Sequence, residues 1–357
     1  MAIDAQLMAW YERLGREFGP MADASPASRR QRFEEITDLL TRLERAGAIH
    51  PRAGQQSAQS AGQQAGQHSA QHTGEHAGKH IGMRNFHLAL AGRTLDARLY
   101  HPGGTPALLV FFHGGGWVAG SIRSHEQLCT RIAARSGVAV LSVQYRLAPE
   151  HRFPAPLDDA FDAVVWAAAH GDELACDVTR LAVGGDSAGA HMAAVAAITA
   201  RDRGAPTVAF QWLVYPVIDP ASNFPSRTEC AAGPGLTADD MTWFWQQLGL
   251  DAGAQHAQDS QDARDAQDAE DAHGYRAAPS RAATLAGLPP AYVLTAEADL
   301  LRDEGEHYAA LLKQAGVPVT VRRGPGMTHG FIRLSAVCSV ADTLLEEAAA
   351  ALKQALA

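Results

Sequence analysis

Hydrophobic positions along the chain gather into short apolar runs, separated by longer stretches with three-and-four spacing. The runs ALLVFF (107–112), VAVLSV (138–143), RLAVGG (180–185), AFQWLVY (209–215), AYVLTA (291–296) and VPVTVR (317–322) read as strands. LDDAFDAVVWAAAH and DEGEHYAALLKQAG read as amphipathic helices between them. Strands apolar throughout have both faces covered, so the alternation predicts an α/β fold with a mostly parallel sheet flanked by helices. Ahead of these runs, FHLALAG and TLDARLYHP alternate with period two about a glycine turn. They predict an antiparallel hairpin at the sheet edge and bring the expected sheet to eight strands.

Two helical stretches lie outside this rhythm: residues 1–50, and LTADDMTWFWQQLGL after the fourth core strand. Together they predict a helical cap over one end of the sheet. Two further segments lack the large apolar residues needed to offset the entropy of ordering a chain. In the first, His68, His72, His76 and His80 recur at every fourth position, a spacing that would align metal ligands on a helix. The interspersed glycines oppose that helix, so a degenerate repeat without metal is expected. In the second, Asp259, Asp262, Asp265, Asp268 and Asp271 recur at every third position, with no glycine turn of a calcium loop. A solvated insertion is expected there. The organisation read from the chain is cap helices (1–50), a flexible linker (51–82), core (83–219), a cap segment with the Asp-rich insertion (220–276), and the rest of the core (277–357).

Composition narrows the classes. Of 357 residues, 46% are hydrophobic, enough for a large core, and a net charge of −9 without a basic cluster argues against nucleic acid as a partner. Cys129, Cys176, Cys230 and Cys338 are scattered and form no CxxC pair, which suits reduced thiols in the cytoplasm. Charges interrupt the apolar positions of the first residues as in an amphipathic helix rather than a signal peptide. No apolar run approaches the roughly 20 residues of a membrane span.

The chemistry concentrates in LAVGGDSAGAHMAA. Here Gly185-Asp186-Ser187-Ala188-Gly189 fits G-x-S-x-G between a predicted strand and a predicted helix. Small residues two positions either side of the serine avoid collision at the turn, and the turn exposes the hydroxyl at the carboxyl end of the sheet. Strand ALLVFF runs into His113-Gly114-Gly115-Gly116-Trp117, whose backbone N–H groups are free to face a developing oxyanion. The amides of Gly115, Gly116 and Ala188 are the expected donors. A dinucleotide fingerprint at Gly114, Gly116 and Gly120 is disfavoured, because the next strand ends without the acidic residue that holds a ribose.

A serine nucleophile needs an imidazole base, and the base needs a carboxylate to orient it. His191 lies on the helix that starts at Ser187 and is held away from its hydroxyl; His256 and His273 fall in the insertion, and His307 in an amphipathic helix. His329 remains, in the loop GPGMTHGF after the last strand. The acid should follow the preceding strand, where Glu297, Asp299 and Asp303 are available. Asp303 reads as a helix N-cap. Asp299 is preferred, with Glu297 kept open.

HGGGW, YRLAPEHRFPAPLDDA, GDSAG, YPVID, LPPAYVLTAEADLLRDEGE and MTHGF together resemble the hormone-sensitive-lipase family of α/β-hydrolase esterases, from Arg84 to the C-terminus apart from the insertion. The resemblance implies an α/β-hydrolase fold with a helical cap, a triad of Ser187, Asp299 and His329, hydrolysis of short- to medium-chain carboxylic esters, and no cofactor. Leu300 departs from the family's usual proline after the acid, which puts the firmness of the Asp299 loop in question. Trp117, Tyr215, Trp243, Phe244 and Phe331 are candidates to line an apolar substrate pocket. Arg146 is expected to be buried in the turn built by YRLAPEHRFPAP. The expected partner is a small-molecule ester, with a homodimer as an open assembly state. An amidase or deacetylase with the same triad, or a non-catalytic receptor on the same fold, are the competing readings.

Overall fold

The computed structural model describes residues 2–21, 23–46, 80–250 and 274–357. His68, His72, His76, His256, His273 and the aspartate run from Asp259 to Asp271 lie outside the described residues. In chain order the elements are α1 (Ala5–Phe18), α2 (Pro26–Arg45), β1 (Gly82–Leu90), β2 (Arg93–His101), β3 (Ala107–Phe112), α3 (Glu126–Ser136) and β4 (Ala139–Val143). There follow α4 (Ala155–Ala169), the short α5 (Gly171–Leu174), β5 (Asp177–Asp186), α6 (Ala188–Arg203), β6 (Phe210–Val214), the short α7 (Pro225–Glu229) and α8 (Ala238–Leu248). β7 (Ala291–Ala298), α9 (Arg302–Gln314), β8 (Val319–Thr328) and α10 (Ser339–Ala355) complete the chain.

The strands form one sheet in the order β1-β2-β4-β3-β5-β6-β7-β8. The edge hairpin pairs antiparallel from Gly82↔His101 to Leu90↔Arg93, β2 joins β4 antiparallel, and the remaining pairings are parallel. This is the mostly parallel, eight-stranded architecture expected from the alternation. β3 shows why its run is apolar throughout: Leu108, Val110 and Phe112 enter the core shared with α4 and α6, while Leu109 and Phe111 enter the core shared with α3 and α10. Each such side chain contributes about 1.5–3 kcal/mol of burial. On α6, every residue from Ala188 to Ala200 is buried, and its alanines let the helix lie close against the sheet.

The strand ends differ from the expected ones. β5 starts at Asp177 rather than 180, and β8 runs to Thr328 through the GPGMT stretch read as a loop. Proline and glycine signal a turn in isolation, but β8 is an edge strand, where a missing N–H is tolerated and a bulge absorbs extra residues. Arg146 is also corrected: its side chain is 30% exposed, and the buried partner is the fully covered Asp159, which it grips from Nε and Nη2.

The N-terminal helices are well capped. Asp4 accepts the N–H groups of Gln6 and Leu7, and Ser25 caps α2 with Pro26 in its first turn. Leu7 and Trp10 of α1, with Leu39 and Leu40 of α2, pack into the core beside α3 and α10. From there α2 reaches α8: Arg29 pairs with Asp240 at 2.7 Å, and Asp240 closes a capping box with Thr237 at the start of α8.

Candidate active site

The serine is presented by a turn that only small neighbours permit. β5 ends at Asp186, Ser187 adopts φ 57 and ψ −122, and α6 begins at Ala188. Such a conformation costs a residue with a Cβ roughly 1–3 kcal/mol and persists when its surroundings hold it. The Ser187 N–H donates to the Val214 carbonyl at 2.9 Å. A Cβ on Gly189 would sit 1.9 Å from the Phe112 carbonyl oxygen, and one on Gly185 would sit 2.4 Å from the same atom. β3, β5 and α6 therefore meet at a distance that no side chain allows.

Strand register brings Asp299 and His329 together. Ala298 of β7 pairs with Thr328 of β8, so the next residues, Asp299 and His329, emerge side by side. Two extra residues of β8 bulge between the pairs Ala296↔Gly324 and Ala298↔Thr328, and this sets that register. His329 Nδ1 lies 2.8 Å from Asp299 Oδ2, and His329 Nε2 lies 2.8 Å from Ser187 Oγ. Asp299 is 2% exposed, and its Oδ1 accepts the Leu301 N–H at 3.0 Å.

The other two carboxylates are engaged elsewhere. Glu297 accepts the Gly326 N–H at 2.7 Å. Asp303 is not the N-cap of its helix: α9 starts at Arg302 with Leu301 in the cap position, and Asp303 accepts the Ser226 N–H and the Nε–H of Arg302. Leu300 is fully buried and Ser226 Oγ donates to its carbonyl at 2.9 Å, so packing and this bond anchor the Asp299 loop in place of proline.

Beside the serine, the glycine loop leaves β3. Gly115 and Gly116 have φ of 126 and 60, and the Gly115 carbonyl accepts the N–H groups of Val118 and Ala119, closing a tight turn. Among the described residues no acceptor takes the N–H of Gly115 or Gly116. Ala188, first in its helix, has no intrahelical acceptor either.

Behind the loop stands Asp186, whose structural part was not read from its place inside the serine motif. It accepts the Gly114 N–H at 2.8 Å and the Tyr215 hydroxyl at 3.3 Å, and His125 Nε2 lies 3.2 Å away. Burial pushes its pKa up, but the facing His125, the Gly114 N–H and the charge of Arg333 together outweigh that and hold it at about 2. Burial lowers the pKa of His125 and takes His113 down to about 3, so burial disfavours a charge on either ring.

The aromatic candidates divide into two groups. Tyr215 lies tilted at a 4.6 Å centroid distance against the His329 ring with Phe331 behind it, and both are buried. Trp117 is fully buried between His191 and Trp245. Trp243 and Phe244 belong to α8 and lie under the Arg29 guanidinium; Phe244 covers Gly116, where a Cβ would come 2.2 Å from its ring. His191 is buried against the two tryptophans, and its ring makes no hydrogen bond to Ser187 Oγ. Among the described residues no cluster of three or more His, Cys, Asp or Glu side chains could hold a metal ion.

A further contact escaped the sequence altogether. Tyr11 of α1 shares a 2.7 Å hydrogen bond with Thr328, adjacent to His329, and the Asp4 N–H donates to Gly326 at 2.9 Å. Burial pushes the Tyr11 phenol up to about 12, so it stays protonated. Pairs more than 300 positions apart carry no local signal.

A family model described as an alpha/beta hydrolase fold matches residues 109–333. A carboxylic ester hydrolase, LipN, of Mycobacterium tuberculosis (strain ATCC 25618 / H37Rv) is 41% identical over 67% of this chain and 61% of its own length. An ethyl acetate hydrolase of Pseudomonas putida is 38% identical over 74% of this chain and 80% of its own. Among solved structures, the hyperthermophilic esterase of the archaeon Pyrobaculum calidifontis superposes with a TM-score of 0.79 at 35% identity and covers 100% of both chains. With the serine turn, the glycine loop and the paired strand ends in one place, the chain belongs to the hormone-sensitive-lipase-like family of α/β hydrolases.

Proposed function

We propose that this chain is a serine carboxylesterase that hydrolyses short- to medium-chain carboxylic esters through an acyl-enzyme. One observation carries the reading: Ser187 Oγ, His329 and Asp299 form a continuous line of two 2.8 Å contacts at the carboxyl end of the sheet. His329 Nε2 takes the hydroxyl proton as Oγ attacks the ester carbonyl carbon. Asp299 fixes the tautomer and stabilises the imidazolium. The carbonyl oxygen becomes an oxyanion that rests on the amides of Gly115, Gly116 and Ala188, each such donor worth about 3 kcal/mol. His329 then returns the proton to the departing alcohol. Water repeats the sequence on the acyl-serine and releases the acid.

The described parts of residues 1–50 and 220–276 serve as the cap, with Phe244 over Gly116 and Trp243 beside it as walls for the substrate. The names of the relatives support ester chemistry over amide chemistry. Turnover of nitrophenyl esters from acetate to laurate, by wild type and Ser187→Ala, tests the reading. Near wild-type rates in the variant would refute it, and faster cleavage of a matched anilide than of its ester would reassign the bond. Four buried, unpaired cysteines support a cytoplasmic setting; recovery of the protein from an extracellular fraction would contradict that.

A further inference from the structure

Arg30, on the N-terminal helix α2, reaches the loop that carries the two glycine amides. Its Nε donates to the Val118 carbonyl at 2.7 Å and its Nη2 to the Ala148 carbonyl at 2.9 Å. Glu150 holds the same guanidinium from both of its oxygens, at 2.9 and 2.6 Å. These contacts link residues 88 to 120 positions apart.

Val118 and Ala148 are both fully buried, so their carbonyls have few other donors. The Ala148 N–H also donates to the Trp117 carbonyl at 2.9 Å, and the Tyr145 hydroxyl donates to the His113 carbonyl at 2.8 Å. The outer end of the glycine turn therefore has two supports, the chain at Ala148 and the fork of Arg30. Its inner end is held by Asp186 through Gly114. Gly115 and Gly116 lie between these supports at positive φ, and their lack of a Cβ leaves them wide conformational freedom. Any donor meant for an oxyanion must be set in place before reaction, so such freedom has to be removed from outside.

We propose that Arg30 is a positioning residue for the oxyanion loop, through the juxtaposition of its guanidinium with the Val118 and Ala148 carbonyls. The proposal rests on the serine esterase reading above. A planar guanidinium serves two divergent carbonyls and a carboxylate at once; a lysine ammonium, a compact point charge, does not reproduce that fork. Glu150, half exposed, pairs with the guanidinium from the solvent side, and the two carbonyl contacts hold Arg30 on the loop without it.

The test compares wild type, Ser187→Ala, Arg30→Ala, Arg30→Lys and Glu150→Gln, with nitrophenyl butyrate as substrate and phenylboronic acid as a probe. The tetrahedral boronate places an oxygen where the oxyanion forms, so its affinity reports on the loop. Arg30→Ala is expected to lower kcat about tenfold and to weaken boronate binding about tenfold, with KM within about twofold, because small misplacements of catalytic groups are costly. Arg30→Lys is expected to lower both about threefold, and Glu150→Gln to leave both within about twofold of wild type. A lower melting temperature with unchanged kcat and boronate affinity in Arg30→Ala would overturn the proposal, as would an equal loss in Glu150→Gln. If Arg30→Ala does not fold, Arg30→Lys decides, and wild-type kcat and boronate affinity in that variant would overturn it. Full turnover by Ser187→Ala would instead overturn the esterase reading, whatever the Arg30 variants do.

Discussion

The serine side and the histidine side of the site are held in place by different means. On the serine side the restraints are local and dense: Gly185 and Gly189 lie against the Phe112 carbonyl, and the buried Asp186 ties the glycine loop to β5. On the histidine side, Asp299 and His329 stand at the tips of β7 and β8, and their positions depend on a bulged register and on contacts from α1. The first side is built by close packing, which fails abruptly when a methyl group is added. The second is built by a few distant hydrogen bonds and should fail gradually.

Four measurements sharpen or break this contrast. The largest effect is chemical and falls on both sides: Ser187→Ala and His329→Ala should each lower kcat by about a million-fold, as when a triad member is removed. Asp299→Asn should lower it about ten-thousand-fold with the fold intact, while Glu297→Gln should stay within about tenfold. Equal losses in these two variants would reopen the choice of acid. Next, Gly189→Ala should destabilise the protein by about 3 kcal/mol or prevent folding, because the new methyl meets backbone rather than a movable side chain. Tyr11→Phe, on the histidine side, should cost only about 1 kcal/mol in urea unfolding and a few-fold in kcat. A Tyr11→Phe loss as severe as that of Gly189→Ala would erase the contrast.

Acid provides the most specific probe of the serine side. The Asp186 carboxylate, held at about 2 against an ordinary 3.8, contributes stability that is present above pH 4 and is lost as pH falls towards 2. Asp186→Asn keeps the size and removes the charge, so it should cost about 2 kcal/mol at neutral pH. That difference from wild type should shrink as urea midpoints are measured from pH 4 down towards 2. A gap independent of pH would show that the charge has no part in holding the loop.

Much of the molecule was legible in one dimension because the signals were local. β3 was read to the residue, the β1–β2 hairpin was visible as period-two alternation, and the serine turn announced itself by glycines that meet backbone at under 2.5 Å. The GPGMT stretch was misread for an equally local reason: proline and glycine mark turns unless an edge strand accepts them. Asp303 failed as a cap because Arg302 opens the helix and the Ser226 N–H claims its carboxylate.

Sequence alone determined which residue types the chain brings to the chemistry, the alternation of strands and helices, and the order in which serine, acid and base appear. These follow from periodicities and turn preferences that act over a few residues. Only the tertiary structure decided the register that sets Asp299 beside His329, the partners that keep Asp186 ionised against its burial, and the reach of Arg30 and Tyr11 from the first helices to the site. Those depend on which surfaces meet after folding. Contacts between residues that far apart are selected by the packing of the whole core rather than by any neighbouring stretch of chain.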